Sequence, residues 1–156
     1  NFFETKIKKK VYFFNNLNEN QIKNFKKKEN SSKVLFIIIS KSGNTIETLS
    51  NTFSLNIIKK NSKNIIVISE KKNNLLFTLS KNLKLFFIEH KSYIGGRYSV
   101  LSEVGMLPAE LMGLKSKDFK QLNSLVKNKI TLLKNITKMT NLCLKIGLHL
   151  MFITNV

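Results

Sequence analysis

The stretch Val34-Leu35-Phe36-Ile37-Ile38-Ile39, running straight into Ser40-Lys41-Ser42-Gly43-Asn44-Thr45-Ile46-Glu47-Thr48, decides how this chain folds. An unbroken apolar run rich in β-branched residues reads as a central strand of a parallel sheet, covered on both faces. The polar residues after it open a helix, so the turn between them lies at the carboxyl edge of the sheet, where ligands of open α/β folds bind. The first amides of such a helix lack partners within it and carry partial positive charge, which suits a phosphate. Gly43 permits a tight turn and lets an anion approach without a Cβ in the way. Ser40, Ser42, Thr45 and Thr48 add four hydroxyls close to that point. Hydroxyls hold a phosphate without fixing a charge, as an exchangeable substrate requires. Glu47, three residues after Asn44, reads as the returning half of a capping box. An ordinary helix start explains two or three of these residues, but not the four hydroxyls together. The Walker-type lysine pattern is missing, which disfavours a nucleoside triphosphate.

Outward from this turn, apolar runs alternate with helical stretches, the pattern of an α/β domain with a parallel sheet. Val11–Phe14 is a short apolar run, and Asn18–Lys28 reads as a surface helix carrying Ile22 and Phe25. Ile46, Leu49, Phe53 and Ile57 make one apolar helical stripe. Ile65–Ile68 reads as a third strand, Asn74–Lys81 as a short helix and Leu85–Ile88 as a fourth strand. Right-handed crossovers would set helices on both faces of the sheet, so the expected architecture is a three-layer αβα sandwich of flavodoxin-like topology. Ser99–Gly113 has helical spacing at Leu101, Val104, Leu107 and Leu111, but Pro108 and Gly105 predict a division into two segments. Asp118–Lys138 reads as helix. Beyond it, Leu142, Leu144, Ile146, Leu148 and Leu150 alternate with a strand period.

The chain has 156 residues, the size of one domain with a proper core. Its formal charge of +18 raises the question of nucleic acid. The lysines are scattered, however, and Arg97 is the only arginine. Base readout and phosphate forks favour arginine, so the lysines read as a solvated surface that attracts small anions. No nucleic-acid partner is expected. No apolar run approaches the roughly 20 residues of a bilayer-spanning helix, so no membrane partner is expected either. No signal peptide is visible. The single cysteine, Cys143, offers neither an internal disulfide nor a multi-cysteine metal site. Together these features favour a cytoplasmic protein.

A second segment follows the last strand: Tyr93-Ile94-Gly95-Gly96-Arg97-Tyr98-Ser99-Val100-Leu101-Ser102-Glu103-Val104-Gly105. Its paired glycines allow close backbone approach. In a lysine-rich chain a lone arginine suggests a position that needs the planar fork to orient an oxyanion or sugar oxygens. A structural arginine, packed on Tyr98 or paired with Glu103, is the plainer reading of the same residue.

These two segments together resemble the glucose-6-phosphate isomerase family and its sugar isomerase domain. The first motif is shared by many sugar-phosphate domains; the second is characteristic of the isomerase. The similarity runs from about Val11 to Leu114 and fades after about Lys127. It implies a sugar isomerase domain over residues 1–115 lacking its first strand, followed by a helical extension and an atypical tail over 116–156. The chain opens on Asn1 without a methionine, so both ends are expected to be cut. The resemblance implies that Ser40, Ser42, Thr45 and Thr48 hold the substrate phosphate. Gly96 and Arg97 match the segment beside the reacting carbons, where arginine stabilises the enediolate. It also implies interconversion of glucose 6-phosphate and fructose 6-phosphate, no cofactor or metal, and a homodimer for the full-length enzyme. The family's glutamate base and its assisting histidine and lysine find no match here: His90 and His149 occupy other positions, and Glu89 and Glu103 qualify by residue type alone. A non-catalytic sugar-phosphate sensor on the same domain, or an isomerase of another sugar phosphate, are the competing readings.

Overall fold

The computed structural model describes residues 9–115, together with 117, 119, 134, 137 and 138. The expected helix over Asp118–Lys138 and the alternating tail with His149 lie essentially outside them. The chain divides into two compact units, Asn1–Lys115 and Ser116–Val156.

The first unit is α/β. Among the described residues, its elements are α1 (Glu19–Lys28), β1 (Phe36–Ile39), α2 (Ile46–Leu55), β2 (Ile65–Ser69), α3 (Leu75–Asn82), β3 (Phe86–Glu89) and α4 (Glu103–Leu111). A 3-10 turn at Ser31–Lys33 precedes β1, and a 3-10 segment at Gly96–Leu101 precedes α4. The strands form one parallel sheet in the order β1-β2-β3. Parallel pairing aligns all three carboxyl ends on one edge, which is the fact that positions the site.

The middle strand is β2. Ile65, Val67, Ile68 and Ser69 are buried, because β2 has a neighbour on each side. β1 pairs with β2 alone among the described strands, and Ile37 and Ile39 are only half-buried. The central place expected for Val34–Ile39 therefore belongs to Ile65–Ser69. Val11–Phe14 runs without strand pairing.

One core cluster joins Ile22 and Phe25 of α1, Phe36 and Ile38 of β1, Leu55 of α2, Ile65 and Val67 of β2, and Leu76 of α3. Phe25 is its aromatic hub, meeting Tyr12, Phe14 and Phe36 edge-on at centroid distances of 5.1, 5.4 and 6.0 Å. Edge-to-face contacts of this kind add about 0.5–1.5 kcal/mol each beyond the area they bury. Asn18 caps α1 by accepting the Gln21 amide at 3.0 Å. Glu19 in the first turn and Lys26, Lys27 and Lys28 in the last complement the helix dipole.

Two helices depart from the expected pattern. The stripe Ile46, Leu49, Phe53 and Ile57 meets the core only in part: Leu49 packs against it and Ile57, just beyond α2, is buried in it, but Ile46 and Phe53 are exposed. α2 instead turns inward Asn51, Thr52 and Leu55, with Thr48 half-buried above them. The polar members of that face are tolerated because they are bonded. Thr52 donates to the Thr48 carbonyl at 2.6 Å, and Asn51 donates to the Phe14 and Asn16 carbonyls at 3.2 and 3.1 Å. The second departure is α4, which runs unbroken through Gly105 and Pro108. The break falls earlier, at Ser102, whose hydroxyl accepts the Val104 amide. Proline forfeits a single backbone bond here. Gly105 is required for a different reason: a Cβ there would collide with the Val100 carbonyl oxygen.

Candidate functional site

The carboxyl edge of the sheet is built from three loops that follow the three strands. After β1, Ser40 is buried, and its hydroxyl lies 2.8 Å from that of Thr45 and accepts the Gly43 amide at 3.2 Å. Ser40 thus fixes the turn from behind. Ser42 and Thr45 have their hydroxyls 3.4 Å apart. Thr45 is the N-cap of α2, yet its side chain caps no amide. The start of α2 therefore presents two hydroxyls beside amides that no side chain of the N-cap covers. Free amides at a helix start carry the partial positive charge of the helix dipole.

Thr48 sits one turn further on. With Thr45, Glu47 and Asn51 it lines a groove of about 1100 Å³ that runs along β1 past Ile37 and Ile39 and past Pro108, Leu111 and Met112. The four expected hydroxyls thus divide in three: Ser42 and Thr45 at the mouth of the turn, Ser40 behind them, and Thr48 on the groove wall.

Glu47 does not close a capping box. With Thr45 at the N-cap, Glu47 is the second residue of α2 rather than the third, one position short of that motif. Asn44 is turned away, and its side-chain oxygen accepts the Leu75 amide at the start of α3, 2.9 Å away. Gly43 makes the tight turn expected of it and has a further role. Its φ is +71°, and the space a Cβ would fill holds the Asn74 side chain. The glycine thereby joins two loops. Asn74 in turn donates to the Glu70 carbonyl and accepts the Phe77 amide, capping α3.

Lys41 links the first loop to the other two. Its ammonium donates to the Ser92 carbonyl at 3.2 Å and the Ile94 carbonyl at 2.9 Å, and lies 3.6 Å from the Glu70 carboxylate. Its own carbonyl accepts the Glu70 amide at 3.1 Å and the Ser69 hydroxyl at 3.3 Å. Glu70 is buried and bonded to Lys72 at 2.5 Å. That hydrogen bond, opposed by burial and helped by the charges of Lys72 and Lys41, holds the carboxyl below the ordinary range.

After β3, His90 is buried, with Nδ1 against the Glu103 carboxylate and Nε2 3.2 Å from the Ile94 carbonyl. Arg97 and Gly96 follow in the 3-10 segment. Nothing lies within 4 Å of a Cβ placed on Gly96. Neither structural partner considered for Arg97 engages it: Glu103 is taken by His90, and Tyr98 projects into solvent at 82% exposure. Tyr93, Val100 and Leu101 around it are exposed as well.

The residues that organise this edge without being anticipated are Lys41, Glu70, Asn74 and the His90–Glu103 pair. Asn74 was legible as a residue that stops one turn and starts a helix. Lys41 carried no signal, since its partners stand 51 and 53 residues away.

The chain matches the family described as phosphoglucose isomerase over residues 2–146. It belongs to the phosphoglucose isomerase family. A relative named glucose-6-phosphate isomerase from Borreliella burgdorferi (strain ZS7) is 35% identical over 139 residues, covering 78% of this chain and 26% of that protein. A probable glucose-6-phosphate isomerase from Methanococcus maripaludis is 33% identical over 118 residues, covering 72% of this chain and 26% of its own length. The chain thus spans about a quarter of the curated phosphoglucose isomerase relatives it matches. Its fold is similar to a solved structure of a hypothetical protein from Thermus thermophilus, with a TM-score of 0.61 at 24% identity, covering 67% of this chain and 27% of that one. Among the described residues, no helix is long and apolar enough to cross a membrane, and no three His, Cys, Asp or Glu side chains gather as a metal ion would need.

Proposed function

We propose that this chain is the substrate-phosphate-binding part of a glucose-6-phosphate isomerase, acting in the cytoplasm on glucose 6-phosphate and fructose 6-phosphate. In this reading residues 1–115 are a sugar isomerase domain and 116–156 a helical extension to it. The observation that carries it is the start of α2, where the Ser42 and Thr45 hydroxyls stand 3.4 Å apart beside amides that the N-cap side chain leaves free. A phosphate placed there takes hydrogen bonds from both hydroxyls and from the first turn of the helix. Ser40 keeps Thr45 in place, and Thr48 flanks the groove beside it. The sugar extends toward the loop after β3. Gly96 leaves that approach open, and the Arg97 guanidinium stabilises the negative charge that develops on the enediolate. A fixed cation aimed at developing charge is among the strongest catalytic terms. The whole enzyme is a homodimer, needs no cofactor, and binds neither nucleic acid nor membrane.

The reaction moves a proton between adjacent carbons, so it needs a base within hydrogen-bond reach of that proton. Glu103 is engaged by His90, and Glu89 pairs with Lys91 at 3.2 Å. Neither is assigned as the base. The purified 156-residue chain is therefore expected to bind sugar phosphate without turning it over. A coupled assay converting fructose 6-phosphate to glucose 6-phosphate checks this. Turnover that disappears in Arg97→Ala would overturn the assignment of the base to another part of the enzyme.

A further inference from the structure

One backbone carbonyl, that of Ile94, receives two donors from different loops: Lys41 Nζ at 2.9 Å and His90 Nε2 at 3.2 Å. Lys41 comes from the phosphate turn after β1. His90 comes from the end of β3 and is itself held by Glu103, the first residue of α4. Ile94 immediately precedes the Gly95-Gly96-Arg97 segment. A pair of glycines has no side chains to anchor it, and neither Glu103 nor Tyr98 holds the Arg97 side chain. The segment's position is therefore set from its flanks.

We infer that Lys41 and the His90–Glu103 pair are positioning residues that clamp the Ile94 carbonyl and so hold Arg97 in register with the phosphate turn. The inference rests on the proposed function for the role of Arg97, but the clamp itself is a property of the loops.

The chemistry of each donor fits this task. Lysine reaches two carbonyls, Ser92 and Ile94, from one ammonium, which an apolar side chain of the same length could not do. Both ring nitrogens of His90 face oxygen acceptors, whereas a neutral imidazole has one N–H. The Nε2 N–H is the one that meets the Ile94 carbonyl, which can only accept, while Nδ1 is held by the Glu103 carboxyl group. The pair is thus a strut from the end of β3 to α4 that also points at Ile94. The bond from the Ile94 N–H to the Lys91 carbonyl, at 3.0 Å, closes the loop locally, and Ser99 closes it further on by donating to the Gly96 carbonyl at 2.7 Å. Neither of these ties the loop to the phosphate turn. Lys41 does.

The test uses the ¹⁵N-labelled 156-residue chain. In Lys41→Met, hydrogen exchange at the amides of Ile94 and Tyr98, which flank the segment and bond to the Lys91 and Gly95 carbonyls, is expected to rise about tenfold, with exchange at Val67 and Ile88 in the sheet unchanged. Lys41→Arg, which keeps a charged donor, restores most of the protection. Glu103→Ala, remote in sequence from the phosphate turn, is expected to raise exchange at the same two amides. It also lowers the preference for glucose 6-phosphate over inorganic phosphate about fivefold without changing the affinity for inorganic phosphate, since only the sugar end depends on Arg97. Unchanged exchange at Ile94 and Tyr98 in both variants overturns the clamp, as does an equal rise in the sheet. Should the unaltered chain bind neither ligand, the phosphate reading fails while the exchange data still decide the clamp.

Discussion

The Asn74 side chain occupies the space that a Cβ on Gly43 would fill. The turn after β1 and the cap of α3 are therefore interlocked. Gly43→Ala forces both a left-handed backbone on a residue with a Cβ and a collision with a side chain that caps a helix. A loss of about 2–4 kcal/mol is expected, since strained backbone alone costs about 1–3 kcal/mol. In an Asn74→Ala background the same substitution is expected to cost only the backbone share. Urea unfolding of the four proteins in the cycle measures the coupling; additive losses would contradict the interlock.

Asn51 is buried on α2, and its two amide donors hold the carbonyls of Phe14 and Asn16, while its oxygen has no partner among the described residues. Asn51→Ala is expected to lower stability by about 1–3 kcal/mol, because two carbonyls lose their donors. The accompanying signature is a displacement of the amide resonances of Val11–Leu17. Equal stability of the variant and the parent would show that the extended stretch is held by the aromatic contacts of Phe25 alone.

Glu70 has its carboxyl lowered from the ordinary 4.5, first by the hydrogen bond from Lys72. A lowered folded-state value means that the ionised form favours folding. That contribution is whole well above the ordinary carboxylate range and is lost as pH falls through that range and then through the lowered value. Glu70→Gln is expected to be less stable than the parent at neutral pH and to lose less stability on acidification. Urea midpoints between about pH 6 and about pH 3 compare the two slopes. Parallel slopes would remove Glu70 from the acid response.

Ser40 and Ser42 separate support from contact. Ser40→Ala removes a buried hydroxyl bonded to Thr45 and to the Gly43 amide, so it is expected to cost about 1–2 kcal/mol of stability as well as affinity for phosphate. The Ser42 hydroxyl meets only the Thr45 hydroxyl and the Asn44 amide of its own turn. Ser42→Ala is expected to weaken phosphate binding with stability unchanged within about 0.5 kcal/mol. Thermal unfolding with and without inorganic phosphate distinguishes the two roles.

The sequence made the strands legible as apolar runs, whether burial is nearly complete, as in β2, or partial, as in β1 and β3. Ile65–Ile68 and Val34–Ile39 are continuous apolar runs, and the turn after the latter ends a strand and starts a helix as its residues imply. The inward face of α2 was not legible from apolar spacing because Thr48, Asn51 and Thr52 belong to it, and what makes them acceptable inside is a set of backbone carbonyls. Two of these, Phe14 and Asn16, lie far away in the chain. The same reason hid the role of Asn44, whose partner Leu75 is 31 residues on. The hydroxyls Ser42 and Thr45 could be read from a local motif since their geometry is local. Lys41 and His90 could not, since they act by closing distance between loops that only the folded sheet brings together.

The account stands on phosphate recognition at the start of α2, and titration of the labelled chain with glucose 6-phosphate tests it most directly. The amides of Ser42, Thr45, Ile46 and Glu47 are expected to shift together along one saturating curve, with Arg97 following at the same midpoint. Resonances that stay still in this turn at ligand concentrations that saturate any other response, or shifts confined to the scattered surface lysines, would contradict it.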